Sequence, residues 1–304
     1  MALSQILVHL GVLLLLPPLL LGVIQRTKSR FAGRRGPSLV QPYRDLAKLA
    51  RKELALSATT TGVFALAPVL AVVTAVMAGL VVPLGPFDAP ISFAGDFVLF
   101  AYLLALGRFF TAAAALDTGS PFEGMGAARE VGFAWLTEPA LFFAFFALAR
   151  LSGSLQLEDM LRAPEGELWR DSTVALALVA AGVLIVLLAE CARIPVDDPA
   201  THLELTMIHE VMVLDHSGPL FGLVEYGAAV KLLVLDVLLM HILVPAATVR
   251  GWLGLGFFVL GVLAVAVLIG VVESTMARLR LLRVPALLVA AVLSCGFALL
   301  LLGR

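Results

Sequence analysis

Runs of about twenty apolar residues, broken by shorter polar stretches, recur along the chain. They predict helices able to cross a hydrocarbon core of about 30 Å at about residues 3–24, 59–82, 95–116, 132–151, 173–191, 220–247, 250–272 and 285–302. The short alternating segments of a β-barrel are not visible. The pattern predicts an all-α integral membrane protein of about eight transmembrane helices, forming one polytopic domain over 1–304. The first run, LSQILVHLGVLLLLPPLLLGVI, has neither the charged start nor the small-residue cleavage site of a signal peptide. It reads as a span kinked near Pro17 and Pro18, because proline supplies no backbone N–H.

Composition agrees with this reading. The chain is 61% hydrophobic and 14% charged, where a soluble domain carries about 25% charged residues. The net charge of −1 carries no information about partners, because the charges are segregated by loop, and no nucleic-acid patch is present. Segment 25–55 holds nine Lys/Arg, and alternate loops on that side bring the total to fourteen, against five on the other. The positive-inside rule then puts the 25–55, 117–131, 192–219 and 273–284 loops in the cytoplasm and both termini on the outer side. Residues 42–54 (PYRDLAKLARKEL) place Leu46, Leu49, Ala50 and Leu54 on one helical face and basic residues elsewhere. Such a segment suits an interfacial helix on anionic lipid or a docking surface for a soluble partner.

The polar segment ECARIPVDDPATHLELTMIHEVMVLDHSG (190–218) interrupts the hydrocarbon. It is not a zinc peptidase motif, since HExxH needs a second histidine at 213, which is Val213. His202, His209 and His216 recur every seven residues, about 10.5 Å per step on a helix, too far to share an ion. No metal site is expected. No GxSxG serine or Cys–His–carboxylate set suggests nucleophilic chemistry. Cys191 and Cys295 read as buried thiols without metal spacing.

A proton or ion relay fits the pattern better. Glu130 and Glu138 bracket the start of the fourth span, and Glu225, Lys231, Asp236 and His241 lie inside the sixth. Glu225 and Asp236 share a helix face, about 16 Å apart in height. Each charged group at mid-membrane costs about 2.5–3.5 kcal/mol on insertion scales, so four on one span require partners or water. Lys231 paired to a carboxylate on another span, purely to orient packing, is the alternative. Arg108 reads as a structural counter-ion for one of these acids.

Several motifs, in order, resemble a known family. RRGP followed by QPYRDLAKL, then LDTGSPFEGMGAAREVGFAWLTEP, the loop RIPVDDPATHLELTMIHEVMVLDHSG and VEYGAAVK are similar to the membrane-anchor subunit of group 4 [NiFe] hydrogenases of the formate hydrogenlyase type. That subunit is related to the quinone-site subunit (subunit 1) of respiratory complex I. Against the complex I loop pattern, Glu190, Arg193, Pro195, Asp197 and Glu204 match, whereas two loop glutamates are replaced by Ala200 and His202. Only Ser38, Leu39 and Val40 separate Pro37 from Gln41, where complex I has a longer insert near its quinone cavity.

The resemblance implies a scaffold in the plasma membrane of a prokaryote. Its cytoplasmic loops would receive hydrogenase large and small subunits and iron–sulfur subunits, and antiporter-like membrane subunits would lie alongside. The [NiFe] and iron–sulfur groups would sit in those partners, with no cofactor and no catalytic residue in this chain. Glu130, Glu138, Glu204, Glu210 and Glu225 would form a hydrated acidic path for protons or sodium, with Lys231, Asp236 and His241 as further candidates. Glu190, Arg193, Pro195, Asp197, Asp198, His202 and Asp215 would serve structure and docking at its mouth. A quinone-site subunit of a complex I-like dehydrogenase and a stand-alone ion transporter remain the alternatives.

Overall fold

The computed structural model describes residues 3–162, 172–198, 207–244 and 251–303. Among them all the regular structure is helical, with no strand. The first span is two helices, α1 (Leu3–Leu15) and α2 (Pro17–Phe31), meeting at 41°. Pro18 has no N–H to give the Leu14 carbonyl, and Leu19 turns its own N–H to Leu16 at 3.0 Å instead of Leu15. Two tyrosines fill the gap. Tyr226 donates to the Leu14 carbonyl at 2.8 Å, and Tyr43 donates to that of Leu15.

After the surface helix α3 (Gln41–Ala50) come α4 (Gly62–Val81), α5 (Asp96–Asp117), α6 (Pro121–Ser152) and the short α7 (Leu157–Arg162). They are followed by α8 (Thr173–Glu190), α9 (His209–Met212), α10 (Gly218–Leu243), α11 (Gly251–Thr275) and α12 (Val284–Leu302). Seven of these helices are each long and apolar enough to span, and the bent α1–α2 pair supplies an eighth. Thus the chain is a multi-pass membrane protein.

One boundary differs from the sequence expectation. Residues 121–131, expected in a loop, continue α6 to 32 residues, about 48 Å at 1.5 Å per residue. Pro121 sits in the first turn, where its fixed φ suits a helix start. The polar residues that lowered the local hydropathy, Arg129 and Glu130, meet groups of the protein itself: the Arg129 guanidinium donates to the Met207 carbonyl at 2.8 Å. Polarity here marks internal partners, not an exit into water.

Helix α10 is the axis of the bundle. Every residue from Leu232 to Ile242 is buried, and α4, α8, α2, α3 and α11 pack around it. Helix α3 spends its apolar side on the chain, with Leu49 against the α10 backbone at Gly222, while Arg44 and Lys48 stay exposed.

The charge-rich segments meet at one end. Ser217 Oγ accepts from the Ala55 N–H at 3.0 Å and donates to its carbonyl at 2.8 Å. Thr61 N–H donates to Asp117 at 2.7 Å, and Leu279 N–H to Pro195 at 2.9 Å. Gly218, at φ +52°, passes so close to the Glu53 carbonyl that a Cβ would lie 2.5 Å from its oxygen. The opposite end is tied by Gly95 N–H to Leu155 O at 2.8 Å and by Arg162 to Asp88 at 2.9 Å.

Candidate functional site: two charge clusters joined at His209–Glu210

Arg108, on α5, is buried among acids. Its guanidinium donates to Glu138 Oε1 at 2.7 Å and to Glu190 Oε1 at 2.6 Å, and Glu130 Oε1 lies 3.8 Å from its Nε. The Thr137 hydroxyl also donates to Glu190 Oε1 at 2.8 Å, while Lys231 Nζ stands 3.7 Å from Oε2. Two cations therefore face three carboxylates, contributed by α5, α6, α8 and α10. Fully ionised, the set carries one negative charge in excess, leaving room for a proton or a cation. A cavity of about 50 Å³ adjoins it, lined by Arg108, Glu130, His209, Lys231, Thr74 and Thr111. A water needs only about 10–15 Å³ of such space.

The second cluster is built on Glu273, near the end of α11. Its fully buried carboxylate meets Lys28 Nζ of α2 at 2.7 Å and Arg193 Nη1 at 3.4 Å. Both cations line an open groove of about 560 Å³ together with Glu210, Glu225 and the apolar Leu21 and Phe221. Again two cations stand among three carboxylates.

Helix α9 joins the two. His209 lines the cavity and Glu210 the groove, although they are consecutive. Asp197 fixes this turn: its Oδ2 accepts from the N–H groups of Ile208 at 3.0 Å and His209 at 3.1 Å, and its Oδ1 from Arg278 at 2.9 Å. Burial, aided by the Lys231 ammonium, holds the His209 imidazole down at about 4. Burial also raises the Glu210 carboxyl to about 7, with the Glu225 and Asp197 carboxylates adding to the shift and Arg193 opposing it. At neutral pH His209 is an uncharged donor and acceptor, and Glu210 holds its proton far more readily than an ordinary glutamate.

The family model described as NADH dehydrogenase matches residues 4–303. The chain belongs to the NADH dehydrogenase family. Within that family it is 32% identical over 280 residues to hydrogenase-4 component C of Escherichia coli strain K12, covering 90% of this chain and 87% of that protein. It is 30% identical over 277 residues to formate hydrogenlyase subunit 4 of the same organism, covering 89% of each. An NADH-quinone oxidoreductase subunit of Geobacter metallireducens is 31% identical over 218 residues, 66% of this chain and 64% of that one. A chain of the archaeal membrane-bound sulfane sulfur reductase, a respiratory membrane complex, superposes with a TM-score of 0.81, covering 97% of this chain and 98% of that one. At 21% identity, that likeness shows the fold.

Set on this family fold, the residues singled out from sequence distribute unevenly. Glu130, Glu138 and Lys231 meet at Arg108, and Glu210 and Glu225 share the groove. Arg108 serves three acids and not one. Glu190, grouped from sequence with the loop, is instead the best-connected acid of the buried cluster, because α8 carries it to the level of Arg108 and Thr137. Asp236 is fully buried, with no hydrogen-bond partner for either oxygen among the described residues, and His241 stands 3.1 Å from the Pro83 carbonyl. Both lie away from the cavity and the groove. Asp198 donates its N–H to Asp197 at 2.9 Å, and Asp215 donates its N–H to Glu123 at 3.1 Å. Glu204 and His202 fall outside the described residues.

Sequence reasoning missed Glu273 and the buried Glu123. A lone acid closing an apolar run marks Glu273 as unusual, yet its partners Lys28 and Arg193 are distant in sequence and read as loop charges. Among the described residues, no three His, Cys, Asp or Glu side chains gather as a metal ion requires.

Proposed function

We propose that this chain is the membrane subunit of a hydrogenase-type, formate hydrogenlyase-like oxidoreductase complex. It anchors a soluble [NiFe] and iron–sulfur arm and contributes an acidic path for proton or sodium translocation. The observation that carries this reading is the pair of clusters, each with two cations among three carboxylates, meeting at His209–Glu210 inside a fold shared with such subunits. Membrane-embedded charge on this scale is costly, and where a fold retains it the default reading is an ion path or another function. The basic end of the bundle faces the cytoplasm of a prokaryotic plasma membrane, receives the hydrogenase large and small subunits and iron–sulfur subunits, and antiporter-like subunits lie alongside. The two cysteines, Cys191 and Cys295, do not fit an iron–sulfur cluster, which takes about four thiolates. The redox centres thus belong to partner chains.

A physical coupling requires turnover in the arm to move the loop or change the field at the groove, and so to shift charge between the clusters. In the complex reconstituted in vesicles, Glu225→Gln leaves assembly intact and lowers the ions moved per turnover. Uptake at the wild-type ratio would remove Glu225 from the path. Co-purification in mild detergent with a [NiFe] large subunit supports the assignment.

The groove favours one other reading, a quinone-site subunit of a complex I-like dehydrogenase, since 560 Å³ lies within the range of small-molecule pockets. A photoreactive quinone analogue that labels Arg35–Gln41 would favour that reading.

A further inference from the structure

We propose that the His209–Glu210 turn is the point where a proton crosses from the groove to the buried cavity, and that the ion moved along this path is the proton and not sodium. The inference rests on the acidic path proposed above.

Three observations carry it. First, the two side chains are consecutive but face different spaces, Glu210 toward Lys28, Arg193 and Glu225, and His209 toward Arg108, Glu130 and Lys231. Second, of the other covalent links between the clusters, the one along α10 separates Glu225 from Lys231 by six residues, about 9 Å, and the one from Glu190 to Arg193 ends in a guanidinium. A guanidinium does not give up its protons, so that route holds charge without passing it. The Lys28–Glu273–Arg193 contact likewise encloses its carboxylate between two cations. Third, the cavity beyond His209 presents a guanidinium and an ammonium beside Glu130. Within that lining two cations stand against one carboxylate and disfavour a sodium ion, which also needs several oxygen ligands in place of its water, whereas an imidazole relays protons. Asp197, which accepts from the His209 N–H, holds the turn between the two spaces.

The step balances without redox chemistry. A proton leaves the Glu210 carboxyl for one ring nitrogen of His209 over intervening water. The proton on the other ring nitrogen leaves for the cavity, where the Glu130 carboxylate receives it. The imidazole ends as the opposite neutral tautomer and resets by rotating. The groups facing the pair are Lys28, Arg193, Glu225 and Asp197 on the groove side, and Arg108, Glu130, Glu190 and Lys231 on the cavity side.

The test uses the complete complex with its partner subunits, reconstituted in liposomes, reading protons with a pH-sensitive dye and sodium with ²²Na⁺ uptake. For the wild type, protons taken up per turnover stay unchanged when choline replaces sodium. His209→Gln lowers that ratio about tenfold, and His209→Asn serves if the glutamine variant does not assemble. In His209→Ala, added imidazole restores part of the ratio, but 1-methylimidazole, which cannot relay through both nitrogens, does not. A His209→Gln ratio within twofold of wild type overturns the handover, and sodium uptake tied to turnover overturns the choice of ion. A wild-type complex that turns over without moving any ion removes the acidic path itself, a result distinct from either.

Discussion

Arg108 and Glu190 are in contact at 2.6 Å, the guanidinium of α5 closing on the last residue of α8. This pair ties two spans that each pack on α6, and the other acids collect around it. Removing the cation leaves three carboxylates facing Lys231 alone. Breaking a buried pair from one side costs about 3–5 kcal/mol, because the partner charge is stranded. Arg108→Leu therefore lowers the thermal midpoint and folded yield in mild detergent. Arg108→Leu combined with Glu190→Gln recovers part of the loss, a coupling that a double-mutant cycle measures.

Asp197 holds the loop to α9 through two backbone N–H groups and Arg278. Hydrogen bonds to a charged group contribute about 1.5–3 kcal/mol each. Asp197→Ala should speed amide exchange at Ile208 and His209 by more than tenfold, while amides in the middle of α10 keep wild-type rates. Mass-resolved hydrogen exchange reads both.

Glu210 predicts a pH dependence with a definite sign. Its folded value of about 7 lies above the 4.5 of an ordinary glutamate, so between those values the folded chain binds more protons than the unfolded one. The stabilisation is complete below about 4.5 and is lost as pH rises through about 7, up to about 3 kcal/mol in all. Thermal midpoints across that window fall in the wild type. In Glu210→Gln the slope flattens, because the amide does not titrate.

Tyr226 caps a carbonyl that Pro18 leaves without its helical donor. Tyr226→Phe keeps the ring and removes the hydrogen bond, which contributes about 1 kcal/mol, or more if the carbonyl is left dry. The variant should lose stability by that amount. A Pro18→Ala, Tyr226→Phe double variant should lose less than the two single changes summed, since the alanine N–H returns a donor to Leu14.

Hydropathy made the spans legible, because a twenty-residue apolar run has few fates other than crossing a bilayer, and the double proline marked the break between α1 and α2. The start of α6 was not legible, since Arg129 and Glu130 look the same to a hydropathy window whether they face water or one another's partners. The candidate site divided along similar lines. Glu130, Glu138, Glu210, Glu225 and Lys231 stood out as charges within or beside apolar runs. That Glu190 belongs with Arg108, and that Glu273 closes on Lys28, depended on which helix faces which.

By itself, the sequence determined the number and rough extent of the membrane helices, the family, and the inventory of ionisable groups that must find partners in oil. Those follow from composition and local pattern, which act along the chain. Tertiary structure decided how the inventory divides into two clusters, and that the adjacent side chains of His209 and Glu210 open one onto each. Ion pairing and burial act across space between helices separated by tens of residues, and no local pattern encodes those distances.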